Sequence, residues 1–162
     1  MVQSSRAPIN TLTTQLKAKA HDLGFNTVGI IPARPARRLD AYLSWVDQEM
    51  YGKMGYLARP DRLIRRQDLN VILPNVQSLV CVGLDYFTEP IPPHVAQDPS
   101  RGRISRYAWG VDYHDVMTPR LKELAAWLST AASSKVESRV YVDTGAILER
   151  DHAESAGLGF VG

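Results

Sequence analysis

The sequence predicts an α/β (α+β) sandwich: one mixed sheet with helices packed on it. Two observations point there. Stretches with apolar residues at helical spacing alternate with short β-branched runs, in the order α-β-α-(α)-β-α-β-α. Prolines and glycines punctuate the boundaries between them. A length of 162 residues suits a single domain spanning residues 1–162, with a core of its own.

Residues 1–9 read as a lead-in, after which Asn10 or Thr11 can cap a first helix. Its apolar positions are Leu12, Leu16, Ala20 and Leu23, and Gly24 ends it. Phe25 to Ile31 is a strand, broken by Pro32 and Pro35. The next helix carries Leu39, Tyr42, Leu43 and Val46 on one stripe; Tyr42 and Trp45 read as core, with no function assigned. Gly52 to Leu57 is a glycine-punctuated turn without the Gly-Lys-Ser/Thr ending of a phosphate loop. A short helix starting at Pro60 puts Arg59, Arg62 and Arg66 near one face.

Ser78 to Tyr86, apolar through its centre, reads as an interior strand. Residues 87–103 hold four prolines among polar residues and must be loop, long enough to suggest a function. A long helix follows, with Met117, Leu121, Leu124 and Leu128 on its stripe; Pro119 either kinks it or marks its start after Thr118. Glu137 to Val142 reads as a last strand, ending in Asp143-Thr144-Gly145. The helix after it runs from Ile147 to Glu154 and is stopped by Gly157.

Composition excludes several classes. No apolar run approaches the ~18 residues of a membrane span, and no signal-peptide core is visible, so a cytoplasmic protein is expected. Cys81 is the only cysteine and reads as a buried small hydrophobe; one thiol makes no internal disulfide and no four-thiolate iron–sulfur cluster. The net charge of +2 does not announce a nucleic-acid binder. Most cations are arginines, however, clustered at Arg34/Arg37/Arg38, Arg59/Arg62/Arg65/Arg66 and Arg101/Arg103/Arg106. They form either a solvated basic face or a set of planar forks for phosphate and amide oxygens.

Asp143 stands where α/β proteins gather ligands, at a strand end before a helix; it either caps that helix or faces a ligand. Asp112, His114 and Asp115 fit a helix start better than a metal site, because no second ligand cluster accompanies them. Glu149, Arg150, Asp151 and His152 read as a solvated helix face with local ion pairs. There is no Gly-x-Ser-x-Gly elbow, and the glycine-rich end from Gly157 to Gly162 follows a helix, which excludes a Rossmann loop.

Several separated motifs carry a family resemblance. Met54-Gly55-Tyr56-Leu57, Leu73 to Val80, Ser105 to Val116, Val142-Asp143-Thr144-Gly145 and Glu149 to Gly162 occur in the order found in the N-terminal, cobalamin-binding domain of the epoxyqueuosine reductases. The similarity runs from about Leu12 to the last residue. The resemblance implies a nitroreductase-like core, akin to the vitamin B12-processing chaperone, that cradles base-off cobalamin, and a tRNA carrying epoxyqueuosine as substrate. It places the proton-donating aspartate at Asp143 and cofactor-contacting segments at Arg66, Ser105, Arg106 and Tyr107. No metal-ligating residue is implied. Desolvation is what raises a carboxyl's pKa, so such a donor is expected to be shielded from water.

Full-length relatives continue into a ferredoxin-like module with two 4Fe-4S clusters and a helical-repeat region that grips tRNA. A chain with one cysteine has to receive electrons from such a module or from another protein. The alternatives are a non-catalytic corrinoid- or RNA-binding module and, from the nitroreductase-like core, a flavin-using reductase.

Overall fold

The structure is a computed structural model that describes residues 11–87 and 89–160. The lead-in 1–9 and the alternative cap Asn10 lie outside the described residues. Helix α1 (Thr11–Asp22) buries Leu16 and Ala20, one turn apart, and the chain leaves it through Gly24 at φ 87°. Strand β1 (Thr27–Pro32) follows, then α2 (Leu39–Asp47), a 3-10 turn at Gly55–Ala58, and α3 (Pro60–Gln67) with proline in its first turn. Strand β2 (Ser78–Gly83) precedes the one-turn α4 (Pro93–Ala96), a 3-10 turn at Arg106–Ala108, the long α5 (Tyr113–Ala131) and α6 (Glu149–Ser155).

β1 and β2 pair antiparallel, with Thr27 opposite Gly83 and Pro32 opposite Ser78. Alternation sends Val28, Ile30, Val80 and Val82 to one face, where α1 and α5 cover them. The core there is Leu16, Ala20, Phe25 and Leu124, with Met117, Leu121 and Leu128 of the α5 stripe packed against it. α6 lies against both strands. Gly29 is the close approach: a Cβ there would collide with the Ala156 carbonyl and the Leu158 side chain. The absence of a side chain at position 29 therefore sets how near α6 comes to the sheet.

The mixed sheet that the sequence predicts is a two-stranded antiparallel one among the described residues. Residues 137–142 are β-prone in composition but are not a strand. A strand is a paired state, and here a cleft of about 1000 Å3 separates this segment from β2, with Leu79 and Cys81 on one wall and Val140 and Val142 on the other. β2 also stops at Gly83 rather than Tyr86. Pro119 does not mark the start of α5. The helix begins at Tyr113, capped by the Asp112 carboxylate, which accepts from the His114 N–H, and continues through the proline. Among the described residues no group of His, Cys, Asp and Glu could hold a metal ion, and no helix is long and apolar enough to cross a membrane.

Of the four residues expected on a solvated face of α6, Arg150 is exposed, but Glu149 is half-buried and Asp151 and His152 are buried, 6% and 5% exposed. Asp151 accepts from the backbone N–H groups of Arg37 and Arg38, and the Arg38 guanidinium bonds both Asp151 and Glu154. That anchor ties α6 to the start of α2. Burial holds His152 below the usual imidazole value, partly offset by Asp151. As pH falls through about 6.5, the unfolded chain then takes up the His152 proton before the folded one does, so stability is lost on acidification. The thermal midpoint should drop between pH 7 and 5.5, and the drop should be smaller in His152→Gln.

Candidate functional site

The site centres on the turn 142–145. Asp143 is in the left-handed region at φ 58°, one of three described non-glycine residues there. Aspartate tolerates this conformation better than most residues, at a cost of about 1–3 kcal/mol. The Thr144 N–H donates back to the Val142 carbonyl at 2.6 Å, closing the turn. Gly145 packs so tightly on the Tyr141 ring that a Cβ would lie 2.6 Å from its Cγ. The turn therefore presents Asp143 outward in one orientation.

Two contacts fix that orientation. The Tyr113 hydroxyl, at the first position of α5, donates to Asp143 Oδ2 at 2.9 Å. The Asp143 N–H donates to Glu149 Oε2 at 3.1 Å, at the first position of α6. Asp143 does not cap α6, whose preceding residue is Leu148 and makes no side-chain cap. The relation runs the other way, with a carboxylate of α6 holding the turn. Burial, helped by the Asp143 hydrogen bond, pushes the Tyr113 phenol up to about 12, which keeps it a proton-bearing donor. Desolvation also raises Glu149 from its ordinary value. Glu149 Oε1 and His114 Nε2 are buried with no hydrogen-bond partner among the described residues.

Asp143 itself is exposed, against the expectation of a shielded donor. It lies on the wall of the cleft beside β2 and on that of a second cavity of about 730 Å3 between α2, α3 and residues 143–151. Nothing in the described chain covers it, because its partners hold it from beneath.

The other expected residues divide. Arg66 lines the second cavity with Asp143 and is 5% exposed. Tyr107 reaches the turn indirectly, its ring 6.2 Å from the Tyr113 ring and edge-on to it. Arg106 stacks on Phe87 at 4.4 Å and Trp109 at 5.5 Å and bonds the Glu89 carbonyl. Ser105 is exposed beside it, on the same 3-10 turn. Around them Tyr86, Phe87, Ile104, Tyr107 and Val111 form an exposed apolar shelf. Tyr42 and Trp45, read as core, instead line the second cavity. Cys81 is half-buried on the cleft wall, its thiol pushed up to about 11 chiefly by burial, and so a poor nucleophile.

Sequence reasoning missed Tyr113 and Glu149. Both are the first residues of helices and lie inside the motifs noted above, which was the available signal. Their partner, a turn residue 30 positions from one and six from the other, becomes visible only in the fold.

The family model described as epoxyqueuosine reductase QueG, DUF1730, matches residues 66–144. An epoxyqueuosine reductase of Gloeobacter violaceus is 40% identical over 153 residues, covering 91% of this chain and 44% of the relative. One from Synechocystis is 44% identical over 119 residues, covering 74% and 38%. Among solved structures, epoxyqueuosine reductase from Streptococcus thermophilus aligns over 95% of this chain with a TM-score of 0.76 and 25% identity, covering 40% of that chain. An epoxyqueuosine reductase bound to an epoxyqueuosine-modified tRNA stem loop aligns over 92% of this chain and 39% of its own, with a TM-score of 0.68 and 26% identity. The Bacillus subtilis enzyme, solved with the catalytic loop of one aspartate swung out of its active site, gives 0.69 at 27% identity over 92% of this chain and 38% of its own. The chain thus spans about two fifths of the length of the relatives it matches. With identity of 40% over nearly all its length and a backbone that superposes on those enzymes, the chain belongs to the epoxyqueuosine reductase family.

Proposed function

We propose that this chain supplies the cobalamin site and the proton donor for reduction of epoxyqueuosine to queuosine in tRNA. The observation that carries the reading is the two-point hold on Asp143, a carboxyl presented outward by a left-handed turn between two cavities. A corrin is too broad for a closed pocket, and the exposed apolar shelf from Tyr86 to Val111 suits one face of such a ring. Ser105, Arg106 and Tyr107 would hold the group there, Arg66 would meet it from the second cavity beside Asp143, and the reduced cofactor would supply the two electrons.

The chain's own residues would do the rest. Tyr113 occupies Oδ2 as a fixed donor, which leaves Oδ1 to carry one proton to the departing epoxide oxygen; a second proton from solvent would let that oxygen leave as water while the two electrons form the carbon–carbon double bond. Glu149 keeps the turn from rotating that oxygen away. Ring and substrate, seated over Asp143, would exclude the water that reaches it in the chain by itself. In this reading residues 1–162 form one domain of a cytoplasmic enzyme with a nitroreductase-like core. The electron-donating iron–sulfur module is separate, since one cysteine holds no 4Fe-4S cluster. That same count favours a second reading for the chain by itself, a corrinoid- or RNA-binding module without turnover.

The test supplies the electrons artificially. Chain, hydroxocobalamin, a strong chemical reductant and an epoxyqueuosine-bearing stem loop should yield queuosine, and flavin in place of cobalamin should not. Binding without product supports the module reading; product with flavin alone refutes the cobalamin assignment.

A further inference from the structure

The least explained side chain in the molecule is Arg66. Its residue is 5% exposed, yet among the described residues Nε and Nη1 have no hydrogen-bond partner, and the guanidinium lies over the Tyr42 ring at 4.8 Å. A buried cation without a partner costs several kcal/mol, so a fold that keeps one has a reason to do so. Arg62, one helical turn earlier on α3, lines the same cavity, over the Tyr56 ring at 5.8 Å. Burial first, and the neighbouring Arg62 charge, hold the Arg66 guanidinium below its ordinary value.

Three carboxylates line the same cavity, Asp143, Glu149 and Asp151, and among the described residues none bonds Arg66. Asp151 is taken by Arg38, while Asp143 and Glu149 each spend one oxygen on the turn and leave the other, Oδ1 and the buried Oε1, without a bond to Arg66. Arg62 donates a long hydrogen bond, 3.5 Å, to the Thr144 carbonyl. Two guanidinium forks side by side match an oxyanion with three or more oxygens better than they match one carboxylate.

We propose that the cavity between α2, α3 and residues 143–151 is a receptor for a phosphate group, held by Arg66 and Arg62 between the rings of Tyr42 and Tyr56. The volume, about 730 Å3, admits a nucleotide-sized ligand whose phosphate sits at the arginines and whose remainder extends toward Asp143. Its use in the reduction rests on the reading above; the binding itself does not. The phosphate can belong to an RNA backbone or to the nucleotide tail of the cofactor.

The experiment titrates the purified chain with inorganic phosphate at constant ionic strength, following the thermal midpoint and the fluorescence of Trp45 in the cavity wall. A saturable change is expected, with the midpoint raised by about 3 °C at tenfold excess over the dissociation constant. Arg66→Met should abolish that response while leaving the phosphate-free midpoint unchanged or higher, since it removes an unpaired buried charge. Arg62→Gln, at a half-buried position, should weaken binding about tenfold and serves if the first variant does not fold. No saturable response in the wild type, or a full response in Arg66→Met or Arg62→Gln, overturns the proposal.

Competition separates the sources. Displacement of phosphate by hydroxocobalamin but not by cobinamide, which lacks the tail phosphate, assigns the cofactor. Displacement by a short RNA assigns the nucleic acid. Displacement by neither overturns the proposal and leaves an adventitious ion only. None of these arms requires turnover, so phosphate binding can succeed where the reductase reading fails, and the reverse.

Discussion

Replacing Asp143 with asparagine is expected to cut queuosine formation by about 10²–10⁴-fold, the usual worth of a positioned proton donor. Asparagine keeps the shape, and its amide oxygen can still accept from the Tyr113 hydroxyl, so the turn should hold. What it lacks is a transferable proton. Cobalamin affinity should therefore stay within about twofold, measured by absorption titration beside the turnover assay. A parallel loss of binding would mean that the carboxylate shapes the site rather than serving the chemistry.

The second large effect falls on stability. Phe25→Ala is expected to destabilise the chain by about 3–5 kcal/mol, read as a lower urea midpoint at unchanged slope. Phe25 is 2% exposed and joins α1 and the sheet to α5 through Leu16, Ala20 and Leu124. With two strands and a small set of fully buried side chains among the described residues, the packing has little reserve to close the cavity left behind. Since α5 also places Tyr113, the loss should loosen the Asp143 turn as well.

The helices were legible because their signals are local. Leu16 and Ala20 at one-turn spacing, the Asp112 cap, and glycines 24 and 157 at the helix exits are written within a few residues of where they act. The last strand was not. Residues 137–142 have the composition of a strand, but pairing needs a neighbouring edge, and the cleft beside β2 puts that edge out of reach. The buried face of α6 was hidden for a related reason. Asp151 looks like a surface charge until the fold brings Arg37 and Arg38 to it.

The candidate site was half legible. Motif order singled out Asp143 and Arg66, which share one cavity, and Tyr107, which meets the turn through Tyr113. Neither the left-handed backbone at Asp143 nor the missing partner of Arg66 has a sequence signal. Both are properties of what surrounds a residue, not of its type or spacing.

The most direct measurement is an absorption titration of hydroxocobalamin with the purified chain. A saturable shift toward the base-off spectrum is expected, weakened by Arg106→Ala on the apolar shelf and retained in Asp143→Asn. An unchanged spectrum at excess protein would contradict the assignment of a corrinoid to this surface and, with it, the role given to Asp143.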